Sequence, residues 1–257
     1  MLGATLTRWA GLVALVMGLA TPAGAGLNLL GIEPSAPAKV AARPAAGLGV
    51  GLGVTDATAV RPAAPIAAAE RARRLAQVRA FIARNRITPR TAWSTEVLGG
   101  PGLEPDWDYD TVVVHHLGTF QSADPQSILR LHVDGHHWAD IGYHFMILAD
   151  GRVLEARNLT LKGSHCQANT HKIGVLVAGH FQPHFLLPGE APTPQQLRSL
   201  IVLCARLKGL FPSVRSLVGH RDVLGNVHPG DDRCPGERLY ELLPAVAARA
   251  GLHGPSR

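Results

Sequence analysis

The residues of this sequence best suited to chemistry are one cysteine and the histidines at two other points of the chain. Cys234 stands in a Cys-Pro-Gly turn that closely follows His220, and a Val-Val-Val run far upstream ends in His115-His116. Two imidazoles and a thiolate can bind zinc, and three protein ligands leave the fourth tetrahedral position open to water, as in catalytic zinc sites. The sequence therefore predicts a metal-dependent hydrolase.

The histidine pair can offer only one ligand to such a site. His115 and His116 are neighbours on a predicted strand, so their side chains point to opposite faces of the sheet. His115 and His220 both stand at predicted strand ends, where sites form in open α/β sheets. A structural role is the alternative to metal binding for each histidine, because a polar residue in a strand is often only packed and hydrogen-bonded.

The elements that must position these residues are those of an α/β domain. Asp124 and Thr193 are each followed by proline and predict helix starts, because both can cap a helix and proline suits its first position. A closing helix is predicted at 237–250. The predicted strands are 110–116, 143–148, 153–154, 173–178 and 214–218. We therefore expect a single domain with a central mixed β-sheet flanked by helices.

The N-terminus has the features of an export signal. Arg8 precedes an apolar run, and Ala23-Gly24-Ala25 is a small-residue cleavage pattern, so residues 1–25 are predicted to be a signal peptide. An uncleaved anchor is the alternative, since residues 9–32 carry no charge and exceed the roughly 18 apolar residues that a spanning helix needs. Either way the protein is predicted to be exported, to the periplasm or out of the cell.

Two segments separate this signal from the domain. Residues 26–65 are rich in Ala, Gly and Pro and predict a flexible linker, because such a stretch buries too little apolar surface to offset its ordering entropy. Residues 66–86 predict a basic amphipathic helix, with Leu75, Val78 and Ile82 on one face. This helix either packs on the domain or contacts an anionic envelope surface or a partner protein.

The positive net charge is confined to one segment. Residues 61–90 contain eight arginines and a single acid, Glu70, whereas residues 91–257 contain sixteen acidic and fourteen basic side chains. A nucleic-acid enzyme places positive charge around its site. The predicted domain has no such excess, so no nucleic-acid partner is expected.

The remaining cysteines leave two alternatives open. Cys166 and Cys204 could pair in a disulfide, or each could be a small buried apolar residue. A zinc thiolate at Cys234 would account for the odd cysteine of an exported protein, and burial of the other two without pairing is the favoured interpretation.

A series of short motifs follows the order found in a known enzyme family. The motifs are Arg90-Thr91-Ala92-Trp93, the Val-Val-Val-His115-His116 strand, Trp138-Ala139-Asp140-Ile141-Gly142-Tyr143-His144-Phe145, Asp150-Gly151-Arg152-Val153, Gly163-Ser164-His165, Asn169, Ile173-Gly174-Val175, Thr193-Pro194, Gly219-His220-Arg221-Asp222 and Cys234-Pro235-Gly236. Together they resemble the zinc-dependent N-acetylmuramoyl-L-alanine amidases, the family of phage lysozyme-type amidases and peptidoglycan recognition proteins. Each motif alone is a weak signal, but the ordered set is specific.

The resemblance implies a cofactor, a substrate and an activity. It implies an amidase domain at 87–252 that binds one zinc ion per chain through His115, His220 and Cys234. The substrate would be peptidoglycan or muropeptides, cut at the amide bond between N-acetylmuramic acid and L-alanine. The protein is expected to act as a monomer.

Three further site residues come from the same resemblance. Tyr143 matches the tyrosine beside the metal, a candidate for hydrogen-bonding the scissile carbonyl or the attacking water. His165 and Asn169 match positions that line the substrate groove. In the mechanism that this implies, hydroxide attacks the carbonyl, the site stabilises the oxyanion, and a general acid protonates the leaving nitrogen.

The chain departs from the family pattern at two positions that bear on proton transfer. Leu176 stands where one branch has a glutamate base, and Asp232 stands where the phage-lysozyme branch has a lysine. Asp232 is therefore the predicted proton carrier, with His228 and Tyr143 as alternatives.

Other functions compete with the amidase interpretation. A recognition module would bind muropeptide without cutting it, but such family members typically lack the cysteine that this chain keeps at Cys234. A zinc peptidase of the common kind would carry a His-Glu-x-x-His helix, which the sequence lacks. Nucleophilic catalysis by Cys234 with His220 is a further alternative, and sensitivity to a chelator would separate it from zinc chemistry.

Overall fold

The computed structural model describes residues 67–95, 103–118, 124–184, 188–223 and 233–255. The predicted signal peptide and linker lie outside the described residues, and so do Asp232 and His228. Within the described part, no helix combines the length and the apolar character that a membrane span requires.

The described residues form five strands and five α-helices. The strands are Thr111–His116 (β1), Phe145–Ile147 (β2), Val153–Glu155 (β3), Lys172–Val177 (β4) and Ser216–Gly219 (β5). The helices are Ala68–Arg84 (α1), Pro125–Arg130 (α2), Pro194–Leu210 (α3), Glu237–Tyr240 (α4) and Leu243–Ala250 (α5). A π-helical turn, Leu131–Gly135, continues α2, and a 3-10 turn, His220–Asp222, follows β5.

The five strands form one mixed sheet in the order β3-β2-β4-β1-β5. β3 runs antiparallel to β2, and the other neighbouring strands are parallel. β1 lies inside the sheet, with Val114 opposite Val175 of β4 and Gly219 of β5. The predicted mixed sheet flanked by helices is confirmed.

Side-chain alternation along β1 divides the sheet into two packed faces. Val112 and Val114 belong to a large core beneath α1, α3 and α5, while Leu176 of β4 packs with Ile128 and Leu129 of α2 on the other face. His115 lies opposite Leu176 in the sheet. Because side chains alternate along a strand, His115 projects toward the α2 face and His116 toward the other.

The helix starts form as their sequence signals predict. The Asp124 side chain accepts a hydrogen bond from the amide of Ser127, and Pro125 is the first residue of α2. Thr193 and Gln196 form a reciprocal capping box at the start of α3, where each side chain satisfies a backbone amide of the other residue. Local chemistry therefore determines where these two helices begin.

Helix α1 packs on the large core. Val78, Phe81 and Ile82 are buried there, and the rings of Phe81 and Phe145 lie 6.4 Å apart between centroids. Leu75, at the start of the predicted apolar face, is only partly buried. The helix contributes to the hydrophobic core of the domain, and contact with an envelope surface or a partner stays a prediction.

The C-terminal helix differs from the single element predicted at 237–250. It is divided into α4 and α5, with Leu242 between them and Pro244 in the first turn of α5. Proline has no amide hydrogen, and its ring clashes with the carbonyl of the preceding turn, so a continuous helix cannot pass through this position without a kink.

Candidate metal centre

Three side chains from distant parts of the chain meet at the carboxyl edge of the sheet. The imidazoles of His115 and His220 and the thiol of Cys234 place one potential ligand atom each within 4.8 Å of the others, and all three residues are buried. No other cluster of at least three potential ligands was found among the residues that the structure describes. The three residues predicted as metal ligands are therefore brought together.

The meeting of the two histidines follows from the parallel pairing of β1 and β5. Val114 lies opposite Gly219, so His115, the next residue of β1, and His220, the first residue of the turn after β5, lie at the same edge of the sheet. Their ring centroids are 4.5 Å apart. Parallel neighbours present their carboxyl ends together, which is why residues so far apart in sequence share one site.

The turn that carries Cys234 is held against the end of β5. The amide of Arg221 donates to the carbonyl of Cys234 at 2.9 Å, and the Arg221 guanidinium donates to the carbonyl of Arg233 at 2.8 Å. A Cβ on Gly219 would come within 2.8 Å of the Pro235 ring, so the turn approaches β5 too closely for any larger residue there. The thiol is thereby directed at the two histidines.

The donor set and its spacing fit a zinc ion. Sγ of Cys234 lies 3.7 Å from Nδ1 of His115. Tetrahedral coordination at ordinary Zn–S and Zn–N bond lengths places sulfur and nitrogen ligands about 3.6 Å apart. Burial, followed by the charges of His165, His220 and His116, holds the pKa of His115 well below its usual range. The neutral imidazole, the form that binds metal, is thus favoured.

The three residues open into a cleft of about 680 Å³. One wall contains a cluster of tilted rings, in which Trp138 lies 4.7 Å from His132 and 5.3 Å from His136 between centroids. Trp138 and Leu131 are both exposed on this wall. Neither histidine was singled out from the sequence, although their i, i+4 spacing in a helix would have placed them on one side.

Tyr143 lies in the cleft beside the metal ligands. Its ring centroid is 5.1 Å from that of His115, and the residue is half-buried. The predicted strand at 143–148 is shorter than expected, since β2 begins at Phe145. Tyr143 therefore stands just before the strand rather than within it.

The segment that leads to Tyr143 is fixed by a buried arginine that the sequence did not reveal. Arg157 is 1% exposed, and its guanidinium donates to the carbonyls of Ile141 at 2.8 Å, Asp140 at 3.2 Å and Lys162 at 2.6 Å. The planar fork of an arginine can hold several carbonyls at once. Arg157 thus ties the Tyr143 segment to the loop before His165.

His165 and Asn169, the predicted substrate contacts, both line the cleft. The Asn169 side chain accepts hydrogen bonds from the amides of His165 and Cys166 and donates to the Cys166 carbonyl, so it shapes this loop. His165 is 7% exposed, and its Nδ1 lies 3.0 Å from Nε2 of His115. Contact of either residue with substrate stays a prediction.

His116 faces away from the ligand cluster, as strand alternation predicts. Its Nδ1 accepts a hydrogen bond from the amide of Phe181 at 3.2 Å. Burial, with smaller contributions from His180 and Arg221, lowers its pKa to about 4. This arrangement suits a packed, neutral histidine.

The other cysteines occupy different surroundings. Cys204 is buried in the large core, where desolvation raises the pKa of its thiol to about 12. The thiol of Cys166 lies on the cleft side, 3.6 Å from Oδ1 of Asn169. The favoured interpretation of burial thus holds for Cys204, whereas Cys166 is partly exposed.

Comparison with known proteins places this arrangement in a family. The family model described as N-acetylmuramoyl-L-alanine amidase matches residues 105–237, just over half of the chain. The matched region contains all three residues of the ligand cluster.

Individual relatives carry amidase and recognition-protein names. An N-acetylmuramoyl-L-alanine amidase of Mus musculus is 31% identical over 174 residues, covering 64% of this chain and 31% of the mouse protein. Peptidoglycan-recognition protein SC2 of Drosophila melanogaster is 32% identical over 139 residues, covering 51% of this chain and 70% of that protein. The chain thus spans about a third of the mammalian amidase that it matches.

A solved bacterial structure shares the fold. The N-acetylmuramoyl-L-alanine amidase LysC from Clostridium intestinale superimposes with a TM-score of 0.52 at 27% sequence identity, covering 65% of this chain and 97% of the bacterial one. The described domain therefore corresponds to nearly all of that protein.

Proposed function

The chain belongs to the N-acetylmuramoyl-L-alanine amidase family, and we propose that it hydrolyses the amide bond between N-acetylmuramic acid and L-alanine in peptidoglycan with one zinc ion held by His115, His220 and Cys234. The observation that carries the proposal is the 3.7 Å separation of Cys234 Sγ and His115 Nδ1 at the floor of an open cleft. The donor set is that of a catalytic zinc site with three protein ligands.

The chemistry divides between the metal and the residues around it. A bound zinc ion supplies Lewis acidity, which activates water and polarises an amide carbonyl at neutral pH. Tyr143 stands beside His115 with its ring in the cleft, so its phenol would donate a hydrogen bond to the carbonyl oxygen as negative charge develops there. Arg157 would hold the Tyr143 segment in place through three carbonyls.

Proton transfer to the leaving nitrogen needs a further group. We propose Asp232 for this role, because it lies two positions before Cys234 in the sequence and a general acid must reach the leaving nitrogen. His228 is the alternative in the same segment.

Substrate binding is proposed along the cleft that surrounds the ligand cluster. His165, Asn169 and the exposed Trp138 ring all line this cleft. An aromatic face packs well against the apolar faces of a sugar ring, and the polar loop can hydrogen-bond a stem peptide. We propose peptidoglycan or its soluble muropeptides as substrates, bound by a monomer.

The sequence features outside the described residues support action outside the cytoplasm. We propose that residues 1–25 direct export to the periplasm or beyond, that residues 26–65 are a linker, and that the amidase domain occupies 87–252. Residues 66–86 would provide a basic face for an envelope surface or a partner, in addition to packing α1 on the core.

The proposal is tested by incubating muropeptides with the purified protein and identifying products by mass spectrometry. Release of a free stem peptide with L-alanine at its N-terminus is expected, and the activity should disappear with a chelator and return with zinc. Chelator-insensitive cleavage would indicate cysteine-nucleophile chemistry. Zinc-loaded protein that binds muropeptide without cutting it would indicate a recognition module.

A further inference from the structure

His165 touches a proposed metal ligand directly. Its Nδ1 lies 3.0 Å from Nε2 of His115, and both rings are buried. The two rings meet nearly at right angles, with an interplanar angle of 78°. The ring centroids are 5.0 Å apart, and the 3.0 Å separation of the two nitrogens is that of a hydrogen bond.

The geometry determines which nitrogen must carry each proton. His115 presents Nδ1 to Cys234, so binding a metal there requires Nδ1 to be unprotonated and places the hydrogen on Nε2. That Nε2–H can be satisfied by His165 only if His165 Nδ1 is an acceptor. The remaining hydrogen of His165 then lies on Nε2, which faces the carbonyl oxygen of Lys172 at 3.4 Å.

Two glycines make room for the His165 ring. A Cβ on Gly174 would lie 2.3 Å from the ring, and one on Gly163 would lie 2.5 Å from it. Gly174 is a buried residue within β4, where glycine weakens a strand and often marks the close approach of another group. The ring is thus seated against the backbone of the sheet, with little freedom to move away from His115.

We infer that His165 is a positioning residue, which accepts a hydrogen bond from His115 and so holds that ligand in the tautomer and orientation needed for metal binding. The inference rests on the proposed zinc site. It assigns His165 a role in supporting the metal ligand, in addition to the substrate contact that is proposed for the cleft. Hydrogen bonds of this kind orient metal-bound histidines and raise their basicity.

The decisive test compares two replacements that differ in one property. Asn places an acceptor oxygen where His165 has Nδ1, and Leu has a similar branched shape without an acceptor. Zinc affinity is measured by competition with a chromophoric chelator for the wild type, His165→Asn and His165→Leu. We expect His165→Leu to bind zinc about 10- to 100-fold more weakly and His165→Asn to recover most of that loss. His253→Ala removes an exposed histidine of another region and should leave the affinity unchanged.

The visible spectrum of bound Co²⁺ reports the geometry of the metal ligands. It would not change if His165 had only a structural role in the fold. The visible spectrum of the Co²⁺-loaded Leu variant should differ from that of the wild type, while the Asn variant should resemble the wild type. Equal affinities and spectra in all three proteins would overturn the inference and leave the proposed function intact. Wild-type protein that binds no zinc would instead overturn the proposed function. Equal losses in the Asn and Leu variants would overturn the acceptor role.

Nuclear magnetic resonance tests the same inference without a substitution. In zinc-loaded wild-type protein, the ¹⁵N shifts of the imidazoles should show His115 and His165 each protonated at Nε2. A His165 ring that carries its hydrogen on Nδ1 could not accept from His115 and would overturn the inference even if a variant failed to fold.

Discussion

Sγ of Cys234 lies 3.7 Å from Nδ1 of His115, although 119 positions separate the two residues in the chain. The contact joins the end of β1, an interior strand of the sheet, to the turn that precedes α4. A cysteine and a histidine at this separation can share one tetrahedral metal ion, and the neighbouring imidazole of His220 completes a set of three.

Replacement of the thiol should remove the metal and the activity together. We expect Cys234→Ser to lose stoichiometric zinc, measured by atomic emission spectroscopy after dialysis, and to lose muropeptide hydrolysis on the order of 1000-fold or more, because a neutral hydroxyl is a poor replacement for a thiolate ligand. Cys204→Ala is the matched control, since Cys204 is buried in the core away from the site. Full zinc binding by the Cys234 variant would contradict the proposed ligand set.

The Tyr143→Phe variant distinguishes a role in metal binding from a role in stabilising the transition state. The substitution removes one hydroxyl and keeps the ring beside His115. We expect zinc content to be unchanged and kcat to fall about 100- to 1000-fold, the usual cost of losing one oxyanion donor. Steady-state kinetics on a defined muropeptide measures the effect, and an unchanged kcat would remove Tyr143 from the mechanism.

Replacement of Arg157 even by lysine should destabilise the domain. A lysine ammonium cannot reproduce the planar fork that reaches the carbonyls of Ile141, Asp140 and Lys162. Leaving such buried groups unsatisfied costs about 1–3 kcal/mol each, so Arg157→Lys should lower the free energy of unfolding by a few kcal/mol in urea titrations. Arg152→Lys changes an exposed arginine of the neighbouring hairpin and should remain within about 0.5 kcal/mol of the wild type.

The metal-free protein should lose stability as the pH falls below neutrality. His144 is fully buried, and burial lowers its pKa to about 4 from an ordinary 6.5. Between these values the unfolded chain binds a proton that the folded chain excludes, so stability is complete above pH 6.5 and declines as the pH falls toward 4.

The expected loss from His144 alone is about 3 kcal/mol when the pH has fallen below 4, and about 2 kcal/mol of it is reached by pH 5. His132, whose pKa is also lowered to about 4 by burial, adds to the same trend. Urea unfolding between pH 8 and pH 5 measures it, and a free energy of unfolding that stays constant over this range would contradict the assignment of neutral buried histidines.

Helix α1 should behave as part of the domain. Phe81 is 7% exposed and packs in the core near Phe145. Phe81→Ala should therefore cost about 3–5 kcal/mol of unfolding free energy through lost burial and the cavity left behind. Arg71→Ala, on the exposed side of the same helix, is the control and should change little. Equal stability of the two variants would show that the helix contributes nothing to the core.

Several elements could be predicted because their signals are local. The proline that follows Asp124 or Thr193 marks a helix start within one turn of chain, and the run of valines before His115 indicates a buried strand without reference to anything else. The division of the last helix was not predicted, although Pro244 is a local signal for it.

Contacts between residues of separate segments could not be predicted, because they depend on how those segments pack. Nothing near Arg157 in the sequence indicates that its guanidinium would be buried among three carbonyls, since their segments come together only around the sheet. The contact of His165 with His115 has the same origin, because it requires the loop that contains Gly163 and His165 to pack against Gly174 of β4.

The sequence by itself determined the fold class, the family motifs and the set of three residues able to hold a metal, because ligand chemistry and strand patterning are written in residue types and short spacings. Tertiary structure alone decided which nitrogen of His115 faces Cys234, which residue supports its other nitrogen, and which rings line the cleft. The physical reason is that hydrogen bonds and ring packing depend on distances of a few tenths of an ångström between segments far apart in the chain, and the packing of the whole domain determines those distances.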